Sequence, residues 1–146
     1  MPNNYIPAAI QKIVKERANY YCEYCYSPAD FSPDSFQFDH IFPVSLGGLT
    51  DAANLAYSCG GCNNHKTNKL VWFDPLTNQE QRLFSPRSDI WSNHFQWNED
   101  ATLIIGNTPI ARSTIALLQM NRPAVVNLRN LLLLAGLHPP TSYPKD

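Results

Sequence analysis

The chain has 146 residues, a length that predicts one domain, or one small domain with an extension. Its 11 basic and 12 acidic residues give a formal net charge of −1, which excludes the strongly basic composition of many nucleic-acid-binding proteins. The longest apolar run, 131–135, is far too short to span a bilayer, and the first residues show no basic patch followed by an apolar stretch. We therefore expect no signal peptide and no membrane segment, and a soluble, cytoplasmic protein.

Helices and one strand are predicted in the first half of the chain, around two cysteine-containing turns. In chain order these elements are a helix at 6–19, a cysteine turn at 20–27, a loop at 28–35, a strand at 36–41, a short helix at 52–55, a second cysteine turn at 57–62 and a helix at 63–70. Apolar residues at helical spacing indicate the first helix, and partial alternation of apolar and polar residues indicates the strand. Thr50 or Asp51 can cap the short helix.

The composition changes after residue 73, and the second half predicts a strand, a hairpin and two helices. In chain order these are a strand at 82–87, a hairpin formed by 95–97 and 102–105, a helix from Thr108-Pro109 to Met120, and a helix from Pro123 to Leu134 that ends at Gly136. Residues 138–146 contain three prolines, and we expect them to fray.

Four cysteines, the only ones in the chain, form two Cys-x-x-Cys pairs, Cys22 with Cys25 and Cys59 with Cys62. Two such pairs can surround one tetrahedral ion, and in a reducing compartment metal ligation is favoured over disulfides. A disulfide pair would suit a secreted protein, and a thioredoxin-like redox site would need only one motif. We predict a structural Zn²⁺ site, with iron in a rubredoxin-like site as the remaining alternative.

Two candidate site residues lie between the cysteine pairs, at the end of the predicted strand. Asp39 offers a hard oxygen ligand suited to Mg²⁺ or Mn²⁺, and His40 can take a proton from water near neutral pH. Adjacent side chains of a strand point to opposite faces, so the two would flank a target phosphate from two sides. The alternative for this pair alone is a surface position at a strand end.

Three further polar residues extend this candidate site. Asn54 offers a side-chain oxygen that could accept a hydrogen bond from His40 and fix its ring. Asn63 directly follows the last cysteine, which would hold it rigidly, and its amide oxygen could be a second ligand of the catalytic ion. Lys66 lies on the same helical face as Asn63, and the N-terminus of that helix favours a phosphate.

The order, spacing and types of these residues resemble the HNH endonucleases, which have the ββα-metal fold. The family pattern runs Cys-x-x-Cys, Asp-His-Ile-x-Pro, Gly-Gly, Asn-Leu and Cys-x-x-Cys-Asn-x-x-Lys. It is met here by Cys22 and Cys25, Asp39-His40-Ile41-Phe42-Pro43, Gly47-Gly48, Asn54-Leu55, Cys59, Cys62, Asn63 and Lys66.

The resemblance implies an α+β fold. Residues 1–73 would form a ββα-metal (HNH, His-Me finger) core stapled by a zinc site of four cysteines. A C-terminal extension with a hairpin and two helices would follow at 74–138, packed on the core, and then a tail at 139–146. This extension resembles one found after the core in a subset of bacterial members.

The implied activity is metal-dependent endonucleolytic hydrolysis of DNA phosphodiester bonds. His40 would be the general base, Asn54 its orienting partner, and Asp39 and Asn63 the ligands of one Mg²⁺-type ion. Some members carry histidine at the position of Asn63, so His65 could replace or assist it. Lys66 would bind phosphate.

The extension offers weaker candidates. Its aromatic residues Trp91, Phe95 and Trp97 are more typical of a core than of base-stacking platforms. Its candidate phosphate contacts are Arg87, His94, Arg112 and Arg122. The extension is also the expected site for a protein partner.

Two other functions stay open at this point. A non-catalytic zinc module that binds nucleic acid or protein is favoured by the lack of net positive charge, and it would need none of Asp39, His40 or Asn63. An RNA-directed nuclease differs from the DNA enzyme only in its substrate. With this charge we expect weak, salt-sensitive binding of DNA by the chain alone.

Overall fold

Helices and small antiparallel sheets make up the protein, and the computed structural model describes residues 5–141. The helices of this range are α1 (Ala8–Arg17), α2 (Gly60–Lys66), α3 (Trp91–His94), α4 (Pro109–Leu118) and α5 (Pro123–Leu134). The strands are β1 (Gln37–His40), β2 (Leu55–Ser58), β3 (Val71–Phe73), β4 (Glu80–Arg82), β5 (Phe95–Trp97) and β6 (Ile104–Gly106). The predicted α+β class is confirmed. Each helix in residues 5–141 is too short or too polar to cross a membrane.

The first sheet pairs β1 with β2, and it includes a strand that the sequence analysis did not predict. Asp39 lies opposite Ala56, and His40 lies opposite Leu55. The helix predicted at 52–55 is a single 3₁₀ turn, Ala52–Asn54, after which β2 begins. All four residues of β2 are buried, so the strand has no alternation of apolar and polar residues that would reveal it.

Helix α2 begins at Gly60, three residues before the predicted start. Cys59 caps it, because the Cys59 sulfur accepts a hydrogen bond from the backbone N–H of Cys62. The helix ends at Lys66, where Thr67 takes a positive φ of 53°. The second cysteine turn is therefore the first turn of the helix that carries Asn63.

Helix α1 matches its prediction and holds the entry to β2 in place. The Arg17 guanidinium donates to the carbonyl oxygens of Ala52 at 2.8 Å and Leu55 at 2.7 Å. These bonds connect α1 to the segment between β1 and β2. Arg17 therefore supports the fold from α1.

The other two sheets are two-stranded as well. β3, which was not predicted, pairs with β4, and β4 lies slightly before the strand predicted at 82–87. The predicted hairpin forms between β5 and β6. Because β3 pairs with β4, this sheet crosses the boundary drawn at residue 73. The division into 1–73, 74–138 and 139–146 stays a prediction.

Helices α4 and α5 are confirmed, with starts that follow from the sequence. Thr108 caps α4, its hydroxyl accepting from the N–H of Ala111 at 3.0 Å, and Pro109 occupies the first turn. Pro123 occupies the same position in α5. The short helix α3 was not predicted.

One hydrophobic cluster includes residues from both sides of residue 73. Tyr26 stacks on Trp91 with ring centroids 4.4 Å apart, and the Trp91 indole N–H donates to the carbonyl of Tyr24 at 2.9 Å. Phe95 is buried, as expected for a core aromatic residue. Trp97 is half-buried and lies under the Arg129 guanidinium. The extension therefore shares its core with the cysteine-containing part of the chain.

The predicted fraying of residues 138–146 is wrong at its first residue. His138 is buried, its Nε2 lies 2.8 Å from the carbonyl oxygen of Ala101, and its ring contacts Trp97 edge-on. Residues 142–146 of the predicted tail lie outside the described residues.

Candidate active site and metal centre

The four cysteines come together as the sequence predicts. Cys22 and Cys25 lie in the turn after α1, while Cys59 and Cys62 lie at the start of α2, and all four are buried. Their sulfur atoms lie within 4.8 Å of one another. The cluster forms because β2, paired with β1, leads directly into α2 and so brings Cys59 and Cys62 against the turn that carries Cys22 and Cys25.

The spacing of the sulfurs matches a tetrahedral metal site and not a disulfide. Cys25 Sγ and Cys59 Sγ are 3.7 Å apart. Metal–sulfur bonds of about 2.3 Å in a tetrahedron place the sulfurs about 3.8 Å apart, whereas a disulfide would need about 2 Å. All four are free cysteines. Four thiolates in this arrangement fit a metal ion such as zinc.

A cleft of about 420 Å³ brings three of the predicted site residues together. Asp39 and His40 reach it from the end of β1, and Asn63 reaches it from α2. The remaining lining comes from the loop after β1, from Thr67 and Asn68 after α2, and from Ile6 and Phe38. Asp39 and His40 can both line it because β1 ends at His40, where strict alternation of side chains stops.

His40 has a partner that the sequence analysis did not identify. Its Nε2 lies 2.9 Å from the hydroxyl oxygen of Thr50. Burial lowers the pKa of His40 below its ordinary value; the carboxylate of Asp39 opposes this effect and the ammonium of Lys66 adds to it. The neutral imidazole is therefore favoured, and Nδ1 is the ring nitrogen left for another contact among the described residues.

Asn54 does not make the hydrogen bond to His40 that was predicted. Its side-chain oxygen accepts from the N–H of Phe42 at 2.8 Å, and its amide nitrogen donates to the carbonyls of Phe42 and Leu49, both at 2.9 Å. Asn54 thus ties together the two ends of the loop 42–49. The reason is that backbone groups at the loop's base lie within reach of the amide, while Thr50 occupies the position beside the imidazole.

Asp39 is held by two buried partners. Tyr24 donates its hydroxyl to Asp39 Oδ2 at 2.7 Å, and the Lys66 ammonium lies 3.2 Å from each carboxylate oxygen. Burial raises the pKa of Asp39, while Lys66 and Tyr24 oppose the rise. The carboxylate is therefore fixed in position before any ion reaches it.

The contacts of Lys66 are at odds with the phosphate-binding role predicted for it. Its side chain is 3% exposed and its ammonium is paired with Asp39. A phosphate group in solvent therefore cannot contact the ammonium directly. The spacing of Asn63 and Lys66 correctly placed both on α2, but it could not show that the lysine end reaches inward.

Asn63 is fixed by Gln37 at the start of β1. The amide nitrogen of Asn63 donates to the side-chain oxygen of Gln37. Its amide oxygen has no protein partner among residues 5–141. Asn63 itself lines the cleft. His65, the alternative ligand, lies on α2 outside the residues that line the cleft.

The cationic candidates of the extension are engaged within the protein. Arg87 pairs with Glu23, and Arg112 donates twice to Asp74, at 2.9 and 2.8 Å. His94 Nδ1 lies 2.7 Å from the Thr108 hydroxyl. Arg122 reaches the cysteine sulfurs. Each of these side chains thus contacts another part of the protein and is not directed into solvent, where it could bind a phosphate.

Some of the supporting residues had a signal in the sequence. Tyr24 stands between the first two cysteines, which fix it, and Gln37 lies two residues before Asp39 on the same face of β1. Thr50 had no comparable signal, since its hydroxyl was equally suited to cap the turn that follows. Arg122 is sixty residues from Cys62 and had none either.

Comparison with known families places the site residues in one segment. Residues 22–69 match the family model described as HNH endonuclease. This match confirms the family that the motifs resemble, and it includes both cysteine pairs and Asp39, His40, Asn54, Asn63 and Lys66. No curated protein and no solved structure gives a significant match to the chain.

Proposed function

We propose that this protein, whose residues 22–69 belong to the HNH endonuclease family, is a metal-dependent endonuclease that hydrolyses phosphodiester bonds of DNA. Its ββα-metal unit would be β1, β2 and α2, stapled by a structural Zn²⁺ ion on the four cysteines. The observation that carries the proposal is the convergence of Asp39, His40 and Asn63 on one cleft of about 420 Å³.

His40 is the general base of the proposed reaction. In the proposed tautomer the neutral ring carries its proton on Nε2 and donates a hydrogen bond from it to the Thr50 hydroxyl, so Nδ1 keeps its lone pair for a water molecule. The water oxygen bonds to phosphorus as its proton passes to Nδ1, and the bond from phosphorus to the 3′ oxygen breaks. The departing 3′ oxygen takes a proton from solvent, so the products carry a 5′-phosphate and a 3′-hydroxyl.

Asp39 and Asn63 are the proposed ligands of a catalytic Mg²⁺ or Mn²⁺ ion. The donors fit such an ion, because a carboxylate and an amide oxygen are hard ligands on the wall of one cleft. When bound, the ion would neutralise charge on the phosphate and on the departing 3′ oxygen. Gln37 and Tyr24 orient the two ligands from outside the cleft, so that their oxygens need little rearrangement.

Asn54 acts in this proposal through the loop and not on the ring. By joining Phe42 to Leu49 it shapes the loop that lines one side of the cleft and leads to Thr50. A positioning role of this kind replaces the direct contact expected from the sequence. DNA as substrate, a cytoplasmic location and a protein partner on the extension are parts of the same proposal.

A second candidate function is favoured by one observation. Both oxygens of Asp39 already have protein partners, since the Lys66 ammonium lies within 3.2 Å of each. A zinc-stapled module that only binds nucleic acid or protein would keep this pair permanently. In the nuclease, Asp39 must share its carboxylate between Lys66 and the ion.

Cleavage of supercoiled plasmid by the zinc-loaded protein separates the two candidates. We expect nicking that depends on added Mg²⁺ or Mn²⁺ and is lost in both His40→Ala and Asn63→Ala. Asn64→Ala is the matched control, because Asn64 is the exposed neighbour of Asn63 on α2 and does not line the cleft. Activity retained by His40→Ala would contradict the proposed base.

Labelled oligonucleotides decide the substrate. Single- and double-stranded DNA and RNA of one sequence are compared under the same ion conditions, and the ends of the products are identified. Faster cleavage of RNA would overturn the choice of DNA while leaving the roles of His40 and Asn63 intact. No cleavage of any substrate by the folded, zinc-containing protein would favour the binding module.

A further inference from the structure

Arg122 connects the extension to the cysteine cluster. It lies between α4 and α5, and its Nη2 is 3.4 Å from Cys59 Sγ while its Nη1 is 3.9 Å from Cys62 Sγ. The same Nη1 donates to the carbonyl of Gln119 at 3.1 Å, at the end of α4. One guanidinium therefore contacts both sulfurs of the second cysteine pair and the end of a helix of the extension.

Gly61 provides the space that this contact needs. A Cβ atom built at Gly61 would lie 2.2 Å from Arg122 Nη2 and 2.5 Å from the central guanidinium carbon. Any other residue at this position would therefore push the guanidinium away from the sulfurs. Gly61 has no positive φ that would require glycine, so the close approach of Arg122 accounts for the glycine before Cys62.

The charge of the site explains why a half-buried arginine is stable there. Four thiolates around one divalent cation leave a surplus of negative charge in a buried position. The planar guanidinium can donate to two sulfurs at once, and hydrogen bonds to charged acceptors are the stronger ones. Cys59 and Cys62 are buried and both contacts are part-buried, so this donation is shielded from water in part.

We infer that Arg122 is a part of the metal centre, where it compensates the charge of the thiolates, and that this contact adds to the shared hydrophobic core in docking the α4–α5 segment. Retention of the metal and attachment of the extension are then coupled. The thiolates hold Arg122 in place, and Arg122 stabilises the thiolate form that binds the ion. This role is independent of the proposed nuclease activity.

Zinc release is the first test, measured on the full-length, zinc-loaded protein with excess chromogenic zinc chelator. Arg122→Met keeps an unbranched side chain of similar reach and removes the donors. We expect release about tenfold faster, since residues that support metal ligands typically contribute roughly 10–100-fold to metal affinity. Arg122→Lys, which keeps the charge but not the planar pair of donors, should lie between Arg122→Met and the unchanged protein. The matched control is Arg82→Met, because Arg82 is an arginine of the same extension that pairs with Asp89 and not with sulfur.

Gly61→Ala gives a second test, because its effect on the rate of zinc release should depend on whether Arg122 is present. In the otherwise unchanged protein the added Cβ displaces Arg122 and should speed zinc release. In the Arg122→Met background the clash is gone and alanine is the better helix former, so Gly61→Ala should leave release unchanged or slow it. Additive effects of the two substitutions would overturn the inference.

Amide hydrogen exchange of α5 measures the docking. Arg122→Met should lower the protection of the Val125 and Val126 amides, which donate to the Arg122 carbonyl, in the zinc-loaded protein, while Arg82→Met leaves it unchanged. Equal acceleration of zinc release by Arg82→Met and Arg122→Met would show a general loss of stability and overturn the assignment. Unchanged release in Arg122→Met would do the same.

Discussion

The hydroxyl of Thr50 lies 2.9 Å from Nε2 of His40 and leaves Nδ1 as the ring nitrogen without a hydrogen-bond partner among residues 5–141. A histidine can act as a base only through the nitrogen that carries no proton. When the Thr50 hydroxyl accepts a hydrogen bond from Nε2–H, Nδ1 is the basic atom. This pair connects β1 to the segment before β2 and gives the proposed base its orientation.

Loss of the Thr50 hydroxyl should therefore lower turnover without unfolding the protein. For Thr50→Val we expect kcat to fall by about tenfold or more, with KM nearly unchanged, because partners that orient a functional histidine contribute on that scale. Thr50→Ser keeps the hydroxyl and is the matched control. Steady-state cleavage of a labelled duplex measures both constants. Equal rates for Thr50→Val and Thr50→Ser would contradict the orienting role.

Removal of Asn54 should act on the loop 42–49 instead. Asn54→Ala loses three hydrogen bonds to backbone groups, and we expect the free energy of unfolding to fall by about 1–3 kcal/mol. Amide exchange within 42–49 should become faster. Urea unfolding and hydrogen exchange check both effects, with Asn64→Ala as the exposed control. A loss of activity in Asn54→Ala with unchanged loop protection would support a direct contact with His40.

The buried pair of Lys66 and Asp39 predicts a large stability effect. Lys66→Met leaves the Asp39 carboxylate buried without its cation, and such losses typically cost about 3–5 kcal/mol. Asp39→Asn combined with Lys66→Met removes both charges and should recover part of the loss. Lys12→Met, at a lysine whose side chain is 74% exposed, is the control. Urea unfolding of the zinc-loaded, Mg²⁺-free protein gives the comparison.

The same variant tests whether a divalent ion can take the place of the ammonium. If Asp39 shares its carboxylate between Lys66 and the ion, Mg²⁺ should raise the melting temperature of Lys66→Met more than that of the unchanged protein. Asp39→Asn with Lys66→Met should show no such response. Identical shifts in all three proteins would argue against Asp39 as an ion ligand, whatever their nuclease activity.

The ion pair between Asp74 and Arg112 predicts a pH dependence of stability. The Arg112 guanidinium, with the N–H of Leu76 and the hydroxyl of Thr77, lowers the pKa of Asp74 to about 2. An unfolded aspartate has a pKa of about 3.9. Because the folded pKa is the lower one, the contribution of Asp74 is fully present above about pH 4 and is lost as the pH falls towards about 2.

Asp74→Asn should therefore be less stable than the unchanged protein by an amount that is constant from about pH 7 to 5 and shrinks below about pH 4. The difference between the two proteins at each pH is the measured quantity, because loss of the metal in acid affects both alike. Asp34→Asn, at an exposed loop residue, is the control. A difference that already changes between about pH 7 and 5 would mean that another group is responsible.

Local patterns along the chain were sufficient to predict the cysteine cluster and the family of this protein. Cysteine spacing predicted the metal site, because two short loops suffice to place four sulfurs around one ion. Asp39, His40 and Asn63, which line one cleft, were predicted as site residues for a similar reason: each is within a few residues of a strand end or a cysteine. Helices α1, α4 and α5 and the hairpin of β5 and β6 were also predicted, since their periodicity, caps and prolines are local signals.

The supports of these residues, by contrast, depend on how distant segments pack. β2 could not be predicted because a strand buried on all sides has no polar alternation. The partners of His40 and Asp39, namely Thr50 and Lys66, depend on which of several polar groups the fold brings to a given point in space. Arg122 is the clearest case, since sixty residues separate it from Cys62. Long-range hydrogen bonds produce no periodic pattern along the chain. Local sequence patterns therefore predict the candidate site residues, whereas tertiary packing determines which residues contact them.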